Sequence, residues 1–175
     1  MDDLRYPIGK FDINAKFTPD QRPGFIKQLE EAPAILRAAV KGLNDKQLDT
    51  PYRPEGWTVR QVVHHLPDSH MNAYVRWRLA LTENEPTIKP YAENLWAELH
   101  DARTAPVELS VQLLESLHGR WAIFLRSLKP EDFNRTYRHP DYGVRSVDSL
   151  LGLYAWHGRH HTAQITSLRD RMGWK

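Results

Sequence analysis

Apolar residues recur at steps of three and four along most of the chain, without a sustained alternation of apolar and polar positions. Such steps place side chains on one face of an α-helix, so the pattern predicts helices rather than strands. The first helix is marked by Phe25, Ile26, Leu29, Ala32, Leu36, Ala39 and Val40. Thr18-Pro19 suits its start as N-cap and first helical residue, and Gly42-Leu43-Asn44 its end. Pro33 lies inside and predicts a kink or break, because proline lacks an N–H and crowds the preceding turn. A second helix is expected from Trp57 to about Thr82, with Val62, His65, Ser69, Asn72, Val75 and Leu79 on one face. Thr58 and Gln61 have the spacing of a capping box, and Pro67 predicts a local bend. The third helix, Val107 to Leu128, shows the stripe Leu109, Leu113, Leu117, Trp121, Phe124 and Leu128 before Lys129-Pro130 stops it. The last begins near Ser146 and runs to about Met172, with Gly173 as its C-terminal signal.

The intervening segments are long. Residues 1–17 read as an extended arm, and 45–56 as a loop broken by Pro51, Pro54 and Gly56. Residues 83–105 read as irregular, with a short helix over 91–100, and 131–145 as a small hairpin around Pro140 and Gly143. Four long helices predict an all-α four-helix bundle forming one domain over 1–175. Connections of this length allow crossovers.

Composition narrows the function. The chain has 175 residues, 41% apolar and 26% charged, which is ordinary for a folded protein. Its net charge is +2, and Lys and Arg are dispersed, so no phosphate-tracking stripe marks a nucleic-acid partner. The start, Met1-Asp2-Asp3-Leu4, lacks the apolar core of a signal peptide, and no apolar run is long enough to cross a membrane. A cytoplasmic protein without a membrane partner is expected. There is no cysteine, so any thiol chemistry must use a thiol brought by a substrate.

Nine histidines remain to be explained. His157 and His161 stand at i and i+4 on the last helix, on the face that also carries Leu150, Tyr154, Gln164 and Leu168. Two imidazoles stacked on a core-facing stripe need partners for their nitrogens, and a shared metal would supply one. The zinc-protease pattern H-E-x-x-H is absent, since Gly158 stands where its glutamate would be. On the second helix, His64-His65 offers a third ligand, and the stripe through Val62 and Asn72 selects His65. Asp68, three residues on, suits a carboxylate that orients a ligand ring or works beside an open coordination position. Three neutral imidazoles with an open fourth position form a catalytic zinc arrangement, and nickel accepts the same donors. Hydrogen-bonded core histidines would satisfy the same pattern.

Other residues could build a pocket. Trp57, Trp121, Tyr154 and Trp156 could line it, and Arg60, Arg120 and Arg159 could meet carboxylates. His64, His70 and His160 flank the ligands as partly exposed neighbours. His100, His118 and His139 have no partner in sequence, although His118 could face the pocket.

The run Tyr52-Arg53-Pro54-Glu55-Gly56-Trp57-Thr58-Val59-Arg60-Gln61-Val62-Val63-His64-His65-Leu66-Pro67-Asp68-Ser69-His70-Met71-Asn72 resembles the second helix of the DinB/YfiT-like proteins. Leu117-His118-Gly119-Arg120-Trp121 looks like their third-helix segment. Gly152-Leu153-Tyr154-Ala155-Trp156-His157 with His161 looks like their last-helix motif, and Arg171-Met172-Gly173-Trp174 like the end of the YfiT branch. The resemblance implies a four-helix bundle holding one divalent transition metal per chain on His65, His157 and His161. It also implies a homodimer and a metal-dependent hydrolase. Relatives that transfer low-molecular-weight thiols, notably bacillithiol, tip the expected chemistry toward S-transfer to a small electrophile. Hydrolysis of small esters or amides is the alternative, and a scaffold with structural metal is a third. Pro67 departs from the family's usual alanine and unsettles the tentative catalytic role of Asp68.

Overall fold

The computed structural model describes residues 2–174; Met1 and Lys175 lie outside the described residues. The helices are α1 (Asp2–Arg5), α2 (Arg22–Val40), α3 (Asp45–Leu48), α4 (Val59–Thr82), α5 (Glu93–Trp96), α6 (His100–Thr104), α7 (Val107–Arg126) and α8 (Val147–Met172). Strands β1 (Thr136–His139) and β2 (Gly143–Ser146) form the antiparallel hairpin expected within 131–145. The long helices α2, α4, α7 and α8 form a four-helix bundle. No described helix is long and apolar enough to cross a membrane.

The helix ends follow local chemistry. Thr58 and Gln61 close a reciprocal capping box at the start of α4, with each side chain serving the other residue's backbone N–H. The Ser146 hydroxyl accepts from the Ser149 N–H at the start of α8. Gly173 takes a left-handed φ of 64°, ending α8 at a conformation that glycine adopts without steric cost. Neither proline breaks its helix: α2 runs through Pro33 and α4 through Pro67.

The packing order explains the long connections. α2 packs against α7 and α8, and α4 packs against the same two. The first and second long helices therefore sit diagonally across the bundle, and the third and fourth do likewise. In a simple up-and-down bundle, consecutive helices are neighbours.

Two apolar clusters fill the interior, one around Leu29, Trp77, Trp121 and Leu150, the other around Leu36, Val62, Leu114 and Ile165. The expected stripe on α7 is displaced. Leu109 and Leu113 are exposed, while Val111, Leu114, His118, Trp121, Ala122 and Leu125 are buried. A hydrogen-bonded histidine thus takes an inward position that apolar periodicity assigned to leucines.

The N-terminal arm is held to α8 by aromatic rings. Tyr6 stacks on His160, Phe11 packs on Trp156, and Phe17 covers Gly152. A Cβ on Gly152 would collide with the ring of Phe17. Gly152→Ala is expected to cost about 1–3 kcal/mol, read as a lower urea midpoint, with Phe17→Leu in the same background restoring part of the loss. An unchanged midpoint would show that the arm does not depend on this contact.

Candidate metal centre

Three helical positions bring His65 of α4 together with His157 and His161 of α8. One nitrogen from each lies within 4.8 Å of the others. The closest pair, Nε2 of His65 and Nε2 of His157, is 3.4 Å apart. A tetrahedral ion with metal–nitrogen bonds of about 2.0–2.1 Å separates its ligand nitrogens by about 3.4 Å. The spacing of this pair and the three imidazole donors fit a divalent metal ion.

Electrostatics keep these rings neutral. Burial, reinforced by the neighbouring imidazoles, pushes His65 down to about 4 and His157 and His161 well below their ordinary range. Neutral imidazole is the form that ligates metal.

Side chains behind these three rings hold them. His161 Nδ1 meets Oε1 of Gln164 at 2.9 Å, and the Gln164 amide donates to the Arg5 carbonyl at 2.9 Å. His157 Nδ1 meets Nε2 of His70 at 3.1 Å. His70 Nδ1 in turn meets Nε2 of His118 at 2.8 Å, and His118 Nδ1 meets the Leu29 carbonyl. Both His70 and His118 are fully buried.

A cavity of about 440 Å³ opens onto the three histidines. Trp57, Tyr6 and Trp156 supply aromatic walls, Arg5 and Arg53 supply cations, and Glu55 and Glu93 supply carboxylates.

A sequence model of the DinB superfamily matches residues 28–165, which include all three histidines. The chain belongs to the DinB superfamily. A Bacillus cereus relative named "Putative metal-dependent hydrolase" is 56% identical over 174 residues, covering 99% of this chain and all of the relative. A Bacillus anthracis protein of the same name matches at the same identity and coverage. YfiT from Bacillus subtilis, described as a "probable metal-dependent hydrolase" with an unusual four-helix bundle topology, superposes with a TM-score of 0.96. It is 50% identical, over 99% of both chains. The four-helix bundle protein TT2238 shares the fold at 21% identity and a TM-score of 0.55, over 85% of this chain and 98% of its own.

This DinB-superfamily chain departs from several sequence expectations. Asp68 does not line the cavity and hydrogen-bonds none of the three histidines. Burial, with the Asp101 carboxylate nearby, pushes its carboxyl up to about 6. His70 and Gln164, rather than Asp68, hydrogen-bond the rings of His157 and His161. His64, His70 and His160 are buried rather than partly exposed. His64 is turned away from the trio: Nδ1 meets the Ser110 hydroxyl at 2.6 Å and Nε2 the Ala105 carbonyl at 3.1 Å. Of the proposed aromatics, Trp57 and Trp156 reach the cavity, whereas Trp121 and Tyr154 belong to the core. None of the three proposed arginines lines it. Arg60 is buried against Asp45, Asp49 and the Ala105 carbonyl, and Arg120 and Arg159 are exposed. Arg5 and Arg53 take that place. Arg5 sits on the arm, whose aromatic contacts to α8 have no helical period to reveal them.

Gly158 has a packing role. A Cβ there would approach Ala32 of α2 to 3.1 Å, so the residue serves the α2–α8 contact where a zinc protease would carry its base.

Proposed function

We propose that His65, His157 and His161 hold one divalent transition metal, zinc or nickel, and that the protein is a metal-dependent enzyme acting on small molecules in the adjoining cavity. The observation that carries this reading is the trio of neutral imidazoles, two buried and His157 half-buried, converging at metal-ligand spacing on the wall of a cavity. When bound, the ion supplies Lewis acidity toward an oxygen or sulfur reaching its open side. A closed structural site would call for four protein ligands, and the described residues offer three at ligand spacing, beside a cavity. That arrangement disfavours the scaffold reading.

The preferred chemistry is transfer of a low-molecular-weight thiol, bacillithiol first, to an electrophile such as an alkyl halide or epoxide. A carbon–sulfur bond forms as the carbon–halogen or carbon–oxygen bond breaks. The thiol proton passes to solvent, or to the oxygen of the opened epoxide. Arg5 and Arg53 bind the carboxylates of the thiol by charge-assisted hydrogen bonds, while Trp57, Tyr6 and Trp156 pack on the electrophile and exclude water. Hydrolysis of small esters or amides is the second reading, favoured by Glu55 and Glu93 in the same cavity as candidate bases.

The test is conjugation of monochlorobimane by metal-loaded protein with bacillithiol, with glutathione or without thiol. Thiol-dependent, chelator-sensitive turnover is expected. Arg5→Ala and Arg53→Ala should each raise KM for bacillithiol by roughly tenfold, about 1.4 kcal/mol, with kcat retained. No turnover with any thiol, despite bound metal, would overturn S-transfer and direct the assay to an ester and amide panel.

A further inference from the structure

We infer that His157, His70, His118 and the Leu29 carbonyl form a proton-ordering chain, in which one backbone acceptor fixes the tautomer of a metal-facing histidine through two intervening rings. The argument needs only the donor and acceptor roles of its members. A carbonyl oxygen can only accept, so the His118 nitrogen that meets it, Nδ1, carries a proton. In a neutral ring the other nitrogen, Nε2, is then an acceptor. His118 Nε2 faces His70 Nδ1 at 2.8 Å, so His70 Nδ1 must be the donor. His70 Nε2 is thereby an acceptor, and it faces His157 Nδ1 at 3.1 Å. His157 must donate from Nδ1, which leaves the lone pair of Nε2 pointing toward His65 at 3.4 Å.

Reversing any one ring sets two donors or two acceptors against each other somewhere along the chain. Full burial of His70 and His118 leaves no water to repair such a mismatch, and a buried unsatisfied group is costly. His161 reaches the same state by a shorter route. The Gln164 amide donates to the Arg5 carbonyl, so its oxygen accepts from His161 Nδ1. Two backbone carbonyls, on α2 and at the end of α1, thus set the protons of His157 and His161 from outside the two helices that bear the trio. His70 and His118 are positioning residues, and His118 acts through His70.

The proposal rests on the reading of His157 as a ligand, but its test does not require metal. Two-bond ¹H–¹⁵N spectra of metal-free protein with ¹⁵N-labelled histidine report the tautomer of each ring. Nδ1–H is expected for His118, His70 and His157. An Nε2–H tautomer at His70 or His157 would overturn the chain. In His118→Leu and His70→Phe, His157 should shift to mixed tautomers, and zinc affinity per folded molecule should fall about 10–100-fold. An unchanged His157 tautomer in folded variants would also overturn it. If either variant fails to fold, the wild-type spectrum still decides. Wild-type protein with the expected tautomers but no zinc binding would sink the metal reading alone.

Discussion

In the His157→Ala variant, zinc affinity is expected to fall on the order of 10²–10³-fold, measured by competition with a chromophoric chelator. Structural zinc sites with four ligands bind with about 10–16 kcal/mol, so each ligand carries roughly 3–4 kcal/mol, and every 1.4 kcal/mol is a factor of ten. His65→Ala and His161→Ala should behave alike, since each contributes one nitrogen to the same trio. The metal-free His157→Ala chain should keep its fold. Its chief loss is the partner of His70 Nε2, worth about 1–3 kcal/mol as an unsatisfied buried acceptor. His64→Ala is the control. It removes bonds to Ser110 and Ala105, so it should cost stability and leave zinc affinity intact. Full affinity in any of the three ligand variants, or loss of zinc in His64→Ala, would mean that the site is built from other residues.

Acid should unfold the metal-free protein through its buried histidines. An unfolded histidine titrates near pH 6.5. In the folded state burial holds His65, His118 and His160 at about 4, and His70, His157 and His161 well below their ordinary range. Between about pH 6.5 and 4 the unfolded chain therefore takes up protons that the folded chain refuses. Stability falls as pH falls through this window, by up to about 1.4 kcal/mol per pH unit for each of the three rings held at about 4, and the other three add in the same direction. Asp68 acts in the opposite sense. Its folded carboxyl is raised to about 6, so its contribution improves as pH falls, but it is one group against eight, since burial lowers His64 and His139 as well. Urea midpoints of chelator-stripped protein should drop steeply from pH 7 to pH 5. Equal midpoints at the two values would contradict the neutral, buried state of the cluster. Zinc at a hundredfold excess over its Kd should add about 2.7 kcal/mol at pH 7.

The fold was legible where one periodic face met one buried face. The starts of α4 and α8, and the end of α8, were marked by Thr58, Ser146 and Gly173, because capping is local chemistry. The α7 face was not, because His118 occupies an inward position for a reason that lies on α2 and α4. The diagonal packing was hidden as well, since chain order does not state which helices touch. At the site, the i, i+4 pair on α8 was visible at once, and His65 followed from the α4 stripe. The residues behind them were not. His70 and His118 lie 48 positions apart, and their link exists only in the folded bundle. Asp68 was favoured over His70 by its proximity to His65, but a carboxyl three residues on can face another side of the helix.

X-ray absorption at the zinc edge of protein loaded with one zinc per chain tests the central claim most directly. Three imidazole nitrogens at about 2.0–2.1 Å, with one light atom from solvent or buffer, is the predicted environment. Failure to retain zinc, or a shell dominated by carboxylate oxygens, would contradict it.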